Sequence, residues 1–374
     1  MKTYNAIGIM SGTSRDGMDI AHCVFSESES GWKFDIMQAT TKHYPQLWKD
    51  RLEGASKLSG DQLMLLHMEY GHYIGKCIKD FITTNPINTK DLIIASHGHT
   101  VFHKPDQGYT FQLGHGAAIA ASSGYTTIAD FRSADVALGG QGAPLVPLAD
   151  KKLFSDHDAC LNLGGFTNIS YEADGKRIAF DICPLNFVIN HLVRKASIPA
   201  SSFEDSQHQN QGAMLDFDPS GRIAQSGNLD KDLLLNLNSI PYYHQPPPKS
   251  LGEEWVNKFI LPIINRPDTP LEDILQTFYH HAASRIAEVV HKIPNCKDVL
   301  ITGGGAYNKY FIGLLQDYIS EAIDLSIPEP AIIDFKEAMI FAWLGVLCMQ
   351  KEHNCLASVT GATTNCIGGS IHWA

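Results

Sequence analysis

The chain has 374 residues, long enough for two domains of ordinary size with well-buried cores. Its 29 Lys and Arg against 40 Asp and Glu give a formal net charge of −11, which argues against a nucleic-acid or membrane-surface partner, so any polyanion must be met by a local cluster of donors. The eight cysteines show no CxxC pair or zinc-like spacing and read as reduced apolar residues, no stretch is long enough to cross a bilayer, and no apolar signal segment precedes the first strand, so a cytoplasmic location is expected.

The first element is an apolar run, Ile7-Gly8-Ile9-Met10, that meets a polar turn, Ser11-Gly12-Thr13-Ser14-Arg15-Asp16-Gly17-Met18-Asp19, and resumes over Ile20–Phe25. This pattern predicts a β-hairpin with bare backbone N–H groups and small hydroxyls at its tip. Gly12 and Gly17 permit close approach of a phosphate chain, and Thr13 and Ser14 add donors. Asp16 and Asp19 would be repelled by phosphate directly and are candidates to hold magnesium on its oxygens through water. An ordinary hairpin turn reads the same way when it stands alone. A further strand is expected over Lys33–Met37, and a helix over Asp61–Phe81 with Leu66, Tyr70, Tyr73 and Ile74 on its apolar stripe.

Leu92–Ala95 reads as a buried strand that gives out at Ser96-His97-Gly98-His99, the kind of exit where open α/β sheets bind ligands. On a strand His97 and His99 would share one face with His103 beyond the run. With no carboxylate or cysteine nearby to complete a metal set, these histidines are expected to hydrogen-bond a polar ligand or cap the chain, and no resident metal is assigned. In Asp130-Phe131-Arg132-Ser133-Ala134-Asp135, Arg132 is the candidate for a carboxylate or phosphate because its planar fork supplies paired donors. A structural salt bridge to Asp130 or Asp135 is the alternative. Three glycines within four residues follow, in Gly139-Gly140-Gln141-Gly142.

Ala159–Tyr171 repeats the first pattern, apolar strand, glycine-bearing turn at Gly164-Gly165, apolar strand. A turn at Ala173–Lys176 leads to a third strand, Arg177–Phe180, ending at Asp181. Two copies of one β-meander imply an internally duplicated α/β chain. Sugar kinases, heat-shock ATPases and actin are built in this way, from duplicated ribonuclease H-like lobes facing an interlobe cleft. Further on, Thr302-Gly303-Gly304-Gly305-Ala306 follows the buried strand Val299–Ile301, and its glycines let the backbone lie against a nucleotide.

With these blocks in hand, the chain resembles the anhydro-N-acetylmuramic acid kinase family nearly end to end. The resemblance is carried by Ser11-Gly12-Thr13-Ser14 with Asp16-Gly17 and Asp19; Ser96-His97-Gly98 with His103; Asp130-Phe131-Arg132 with Asp135; Gly139 to Pro147; Asn162 with Gly164-Gly165; Pro247-Pro248-Lys249-Ser250; Gly303-Gly304-Gly305-Ala306; and Glu337-Ala338 with Phe341-Ala342-Trp343. It implies an enzyme that uses ATP, with magnesium, to convert 1,6-anhydro-N-acetylmuramic acid into N-acetylmuramic acid 6-phosphate in cell-wall recycling. It also implies Asp181 as catalytic base and ATP phosphates on the turn from Gly12 through Thr13, Ser14, Arg15, Asp16, Gly17 and Met18 to Asp19. Gly164, Gly165 and Gly303 to Gly305 would serve the nucleotide, and His97, Arg132, Asp135, Asn186 and Glu337 the sugar. A homodimer is carried by the resemblance alone. The first lobe is expected over 1–132, completed by 335–374, and the second over 133–334.

The chain departs from the usual family pattern after the catalytic aspartate, where Ile182-Cys183-Pro184-Leu185-Asn186 replaces Thr-Gly-Pro-Gly-Asn. His99 stands for a usual glutamine, and His115 for another polar residue. These departures leave open a reshaped sugar site. Two alternatives stand beside the anhydro-sugar reaction: an ordinary kinase of the same fold acting on a free hydroxyl of an amino sugar, and an ATP-gated binding module without catalysis.

Overall fold

The computed structural model describes residues 1–12, 16–29, 31–199 and 214–374. Among these the strands are β1 (Lys2–Ser11), β2 (Gly17–Ser28), β3 (Gly31–His43), β4 (Ile93–Lys104), β5 (Tyr109–Leu113), β6 (Thr127–Ala129), β7 (Ala159–Leu163), β8 (Phe166–Ala173), β9 (Lys176–Pro184), β10 (Asp298–Thr302), β11 (Asp324–Ser326) and β12 (Ser370–His372). They form two sheets, β12-β6-β4-β1-β2-β3, with β5 added to β4, and β11-β10-β7-β8-β9. The first strand of each antiparallel meander lies beside a parallel strand, β4 against β1 and β10 against β7, and a second parallel strand follows. Both sheets therefore repeat one topology, and the chain is duplicated.

The chain divides into two compact units, Met1–Ser155 with Phe335–Ala374, and Asp156–Asp334. Residues 133–155, expected with the second lobe, fold with the first instead. The cause is long-range pairing: Asp135 is anchored by Thr360 and Cys355, and Phe154 packs edge-on against Phe34 at 5.3 Å between centroids.

In the first unit, the helix Gly60–Thr84 opens on a capping box in which Ser59 Oγ accepts from Gln62 N and Gln62 Oε1 accepts from Ser59 N. This box starts the helix at Gly60, and no glycine or proline interrupts its C-terminal end before Thr84, so it outruns the expected span at both ends. Its buried face, with Leu66, Tyr70, Ile74 and Ile78, joins Ile7, Ile9, Ile20 and Ile94 of the sheet in one core. On the other face the helix Pro330–Gln350 approaches so closely that a Cβ at Gly8 would lie 1.8 Å from the Ala338 carbonyl oxygen. Apolar residues occupy nearly its whole circumference from Ala338 to Leu347, as expected of a helix enclosed by protein.

That helix also carries a buried cation. Lys336 Nζ lies 2.8 Å from Asp150 Oδ1 and 4.9 Å from the centre of the Phe154 ring, and both charged side chains are under 9% exposed (8% and 5%). Breaking a buried ion pair by removing one partner is strongly destabilising, so Lys336→Met is expected to lower stability by about 3–5 kcal/mol. Urea unfolding measures this, and a loss below about 1 kcal/mol, the range of exposed pairs, would contradict a buried pair.

The second unit wraps its sheet with the helices Asn186–Ala196, Leu271–Val290 and Lys309–Tyr318. Phe278, Ala282, Ile286 and Phe311 bury fully with Leu161, Leu163 and Ile301. β9 runs beyond the expected end at Asp181, because Ile182 and Cys183 are themselves buried core residues (2% and 0% exposed). The register shifts between Thr167 and Asn168, so that Asn168 faces Asp181 while Thr167 faces Cys183, and Ile182 is the extra residue of a bulge.

Candidate active site

The hairpin expected at the start of the chain is formed, with Met10 opposite Asp19 in register. Ser11 is 2% exposed, and its hydroxyl lies 2.8 Å from Tyr44 OH and 3.1 Å from Tyr70 OH, with His99 Nδ1 at 3.4 Å. This network fixes the base of the tip. Thr13, Ser14 and Arg15 lie outside the described residues. Asp16 is exposed, and Asp19 is half-buried and accepts a hydrogen bond from Thr41 Oγ1 at 2.6 Å. Met18 is fully buried in the core, so its side chain cannot serve a nucleotide and only its backbone remains for that purpose.

β4 continues to Lys104, so His97 and His99 sit within a strand rather than at its exit. They do not share a face. Gly98 adopts φ +74°, and a Cβ there would meet the Leu113 carbonyl oxygen at 2.3 Å, so the position needs glycine. The bulge it makes pairs Ser96 with Ile9 but His99 with Ser11, which adds a residue and reverses the alternation. His99 therefore meets Ser11 on the Tyr44 and Tyr70 side, while His97 packs tilted against Phe341 of the helix Pro330–Gln350, 4.7 Å between ring centroids.

His97 Nδ1 donates to the Gly98 carbonyl (2.8 Å), and its Nε2 accepts from Arg132 Nε (2.9 Å). Burial, and then the neighbouring guanidinium, hold this imidazole well below its usual pKa, so it is neutral at physiological pH. Arg132 Nη1 donates to the Gly142 carbonyl at 2.6 Å. Burial lowers the Arg132 pKa to about 10, against the pull of Glu337, which leaves it charged. Neither local salt bridge forms, because Asp130 accepts from Ser133 and Asp135 from another set of donors.

Asp135, expected among the sugar contacts, is a buried anchor instead. Its Oδ2 accepts from Gly142 N (2.7 Å), and its Oδ1 accepts from Thr360 Oγ1 (2.7 Å) and Cys355 Sγ (3.1 Å). At 0% exposure it ties the glycine loop after Arg132 to the C-terminal segment. Glu337 reaches solvent, yet the surrounding protein pushes its carboxyl above the ordinary range; Arg132 opposes this shift and Asp19 adds to it. The first unit thus brings Asp19, Arg132 and Glu337 into one electrostatic neighbourhood.

In the second unit the two glycine blocks meet, since β7 and β10 are adjacent and parallel. Gly303 has φ +81°, and a Cβ on it would lie 2.4 Å from Asn162 Oδ1; one on Gly305 would lie 2.7 Å from Leu163 Cβ. Gly304 has no neighbour within 4 Å of its would-be Cβ and leaves the turn open. Gly164 and Gly165 turn their carbonyls toward the N–H groups of Asn186, and of Leu185 and Phe187, at the start of the helix Asn186–Ala196. Asn186 Nδ2 donates to Leu163 O at 3.0 Å, so this asparagine also braces the turn.

Asp181 is half-buried and is not the cap of that helix, whose N-cap is Leu185. Its Oδ2 accepts from Leu251 N at 2.8 Å, its backbone N–H donates to Lys249 O at 3.2 Å, and its carbonyl accepts from Tyr242 OH at 2.7 Å. Burial raises the carboxyl pKa, and the Leu251 bond partly offsets it. Lys249 Nζ lies over the Tyr242 ring at 4.7 Å and donates to the Tyr242 carbonyl. Sequence reasoning noted the Pro247–Ser250 block but gave no role to it or to Tyr242, which has no motif of its own; together they hold the aspartate in place.

Among the described residues, the group of acidic, histidine or cysteine side chains whose ligand atoms converge is Asp135, Cys355 and Cys366. That buried, thiol-bearing set does not fit magnesium, which takes oxygen ligands and keeps water. The carboxylates of Asp16 and Asp19, one exposed and one half-buried, do fit.

Comparison with known proteins gives the family. A family model for anhydro-N-acetylmuramic acid kinase matches residues 4–374. The chain is similar to proteins named anhydro-N-acetylmuramic acid kinase from Francisella tularensis subsp. novicida (33% identical, covering 98% of both chains), Hydrogenovibrio crunogenus (32%, covering 98% of this chain and 97% of the relative) and Xylella fastidiosa (34%, covering 98% and 95%). With a match over almost every residue and its glycine, arginine and aspartate blocks in the expected order, the chain belongs to the anhydro-N-acetylmuramic acid kinase family.

Proposed function

We propose that this chain is an ATP-dependent kinase that opens 1,6-anhydro-N-acetylmuramic acid with water and phosphorylates O6, giving N-acetylmuramic acid 6-phosphate in murein recycling. The observation that carries the reading is Asp181, a half-buried carboxylate of raised pKa that accepts from Leu251 N, on a backbone held by Tyr242 OH and Lys249 O. An anhydro sugar has no free hydroxyl at O6, so phosphoryl transfer must wait for the C1–O6 bond to break. Asp181 takes a proton from water as its oxygen bonds to C1. The C1–O6 electron pair passes to O6, and O6 attacks the γ-phosphorus with ADP leaving.

The hairpin tip from Gly12 to Asp19 holds the phosphates, and Gly164, Gly165 and Gly303 to Gly305 receive the nucleotide, Gly304 contributing the open backbone. Magnesium, held through Asp16 or Asp19, would neutralise phosphate charge. His97, Arg132, Asn186 and Glu337 contact the sugar: Arg132 offers the guanidinium N–H groups not used by His97 and Gly142, and neutral His97 keeps it oriented. Most of the catalysis then lies in positioning and charge stabilisation.

ADP release measured with each candidate acceptor tests the reading. Saturable release is expected with the anhydro sugar and only background release with N-acetylmuramic acid or with no sugar. Equal turnover on N-acetylmuramic acid would instead identify an ordinary hydroxyl kinase.

A further inference from the structure

The first unit holds a partly open pocket of about 190 Å³, which meets the proposed sugar contacts at His97 and is otherwise lined by residues to which the proposed reaction gives no role. It is lined by His67, Ser96, Gln112, His115 and His372, with His97 and Asp130 on its wall. The imidazoles adjoin, with ring centroids 5.1 Å apart for His67 and His115 and 5.5 Å for His115 and His372. His67 Nδ1 accepts from Gly114 N at 3.0 Å, and His115 Nδ1 accepts from Ala117 N at 3.1 Å. With Nδ1 accepting, the ring proton of each sits on Nε2, as a donor. His115 is also the N-cap of the helix Gly116–Ser123, whose positive end starts at the cavity.

Two buried groups on this wall lack partners. Ser96 is 1% exposed and its Oγ makes no hydrogen bond; Gln112 is 9% exposed, and its Oε1 makes none although its Nε2 donates to Thr110 Oγ1. Buried polar atoms in folded proteins are almost always paired, so both point to a missing occupant. A pocket of this volume has room for several waters or a molecule of a few heavy atoms. Imidazole N–H groups and a hydroxyl suit a carboxylate, and the Gln112 oxygen needs a donor beside it. The one carboxylate on the wall, Asp130, has its Oδ1 engaged by Ser133 N–H and Oγ–H.

We propose that this cavity binds a small 2-hydroxycarboxylate, with its carboxylate on the Nε2–H groups of His67 and His115 and the Ser96 hydroxyl, and its hydroxyl donating to Gln112 Oε1. The lactyl arm of a muramic acid carries the same carboxylate but has an ether where the hydroxyl would be. The two sources are therefore separable.

The test uses the full chain with ¹³C-labelled histidine Cε1 positions, without nucleotide, titrated with sodium lactate, acetate or N-acetylmuramic acid. His67→Gln, His115→Gln and His372→Gln assign the signals. Lactate is expected to shift all three signals saturably, and acetate to bind about tenfold more weakly for want of one hydrogen bond. Ser96→Ala is expected to weaken lactate by a similar factor. Gly116→Ala is expected to shift the His372 signal, because a Cβ there would lie 2.2 Å from His372 Cδ2 and the ring must give way. Shifts that stay linear in lactate, a Ser96→Ala protein that binds as well as the parent, or acetate equal to lactate would each overturn the proposal. Tighter binding of N-acetylmuramic acid than lactate would overturn it in favour of the sugar's own carboxylate.

Discussion

Asp181→Asn is expected to lose ~10²–10⁴-fold in turnover with ATP binding largely intact, the range for removal of a general base. The substitution keeps a side-chain oxygen for the Leu251 N–H, and the bonds from Tyr242 and to Lys249 involve Asp181 backbone only, so the fold should hold. Single-turnover phosphorylation alongside nucleotide titration separates the two effects. A variant with parental turnover would remove Asp181 from the chemistry. The base acts deprotonated, and its pKa is raised by burial. The acid limb of kcat/KM should therefore fall at a higher pH than for an exposed aspartate, with activity rising as pH increases through that limb. In Asp181→Asn that limb should vanish.

Arg132→Ala is the second large effect, with an expected loss of about 10²-fold in kcat/KM for the sugar, borne mostly by KM. Charge-assisted hydrogen bonds contribute roughly 1.5–3 kcal/mol each, and about 1.4 kcal/mol corresponds to tenfold. The change also leaves the Gly142 carbonyl and His97 Nε2 without their donor. Arg132→Lys should recover only part of the loss, since an ammonium cannot reproduce the fork that spans His97 and Gly142. Steady-state kinetics in both substrates checks this, and an unchanged sugar KM in Arg132→Ala would exclude it from the sugar site.

The parts of this molecule written in short-range pattern were legible in its sequence. Both meanders announce themselves by apolar strands broken at glycine-bearing turns, so the hairpin at Gly12 to Asp19, the turn at Gly164-Gly165 and the duplication could be read directly. The orientation of His97 and His99 could not, because one residue of bulge at Gly98 reverses a period-two alternation. The support of Asp181 comes from Tyr242 and Leu251, some sixty to seventy positions away, and no local signal marks such a contact. The anchoring role of Asp135 is hidden for the same reason, since its partners Cys355 and Thr360 lie more than two hundred residues downstream. These same long-range bonds carry residues 133–155 into the first unit. The cavity histidines come from a helix, a loop and the last strand, a convergence that only the fold creates.

The departure at Ile182-Cys183-Pro184-Leu185 has a packing explanation. Ile182, Cys183 and Leu185 are 2%, 0% and 1% exposed and belong to the second unit's core, so the segment that glycines would leave flexible is instead pinned by apolar burial. Asp181 is thus held from both sides, by the core after it and by the Lys249–Leu251 backbone against it.

The most direct test of the account is where the oxygen of water ends up. Turnover of ATP and the anhydro sugar in ¹⁸O-water should place one label on the anomeric carbon of N-acetylmuramic acid 6-phosphate and none in the bridging oxygen at C6. Label absent from the anomeric position, or found in the transferred phosphate, would contradict water attack at C1 guided by Asp181.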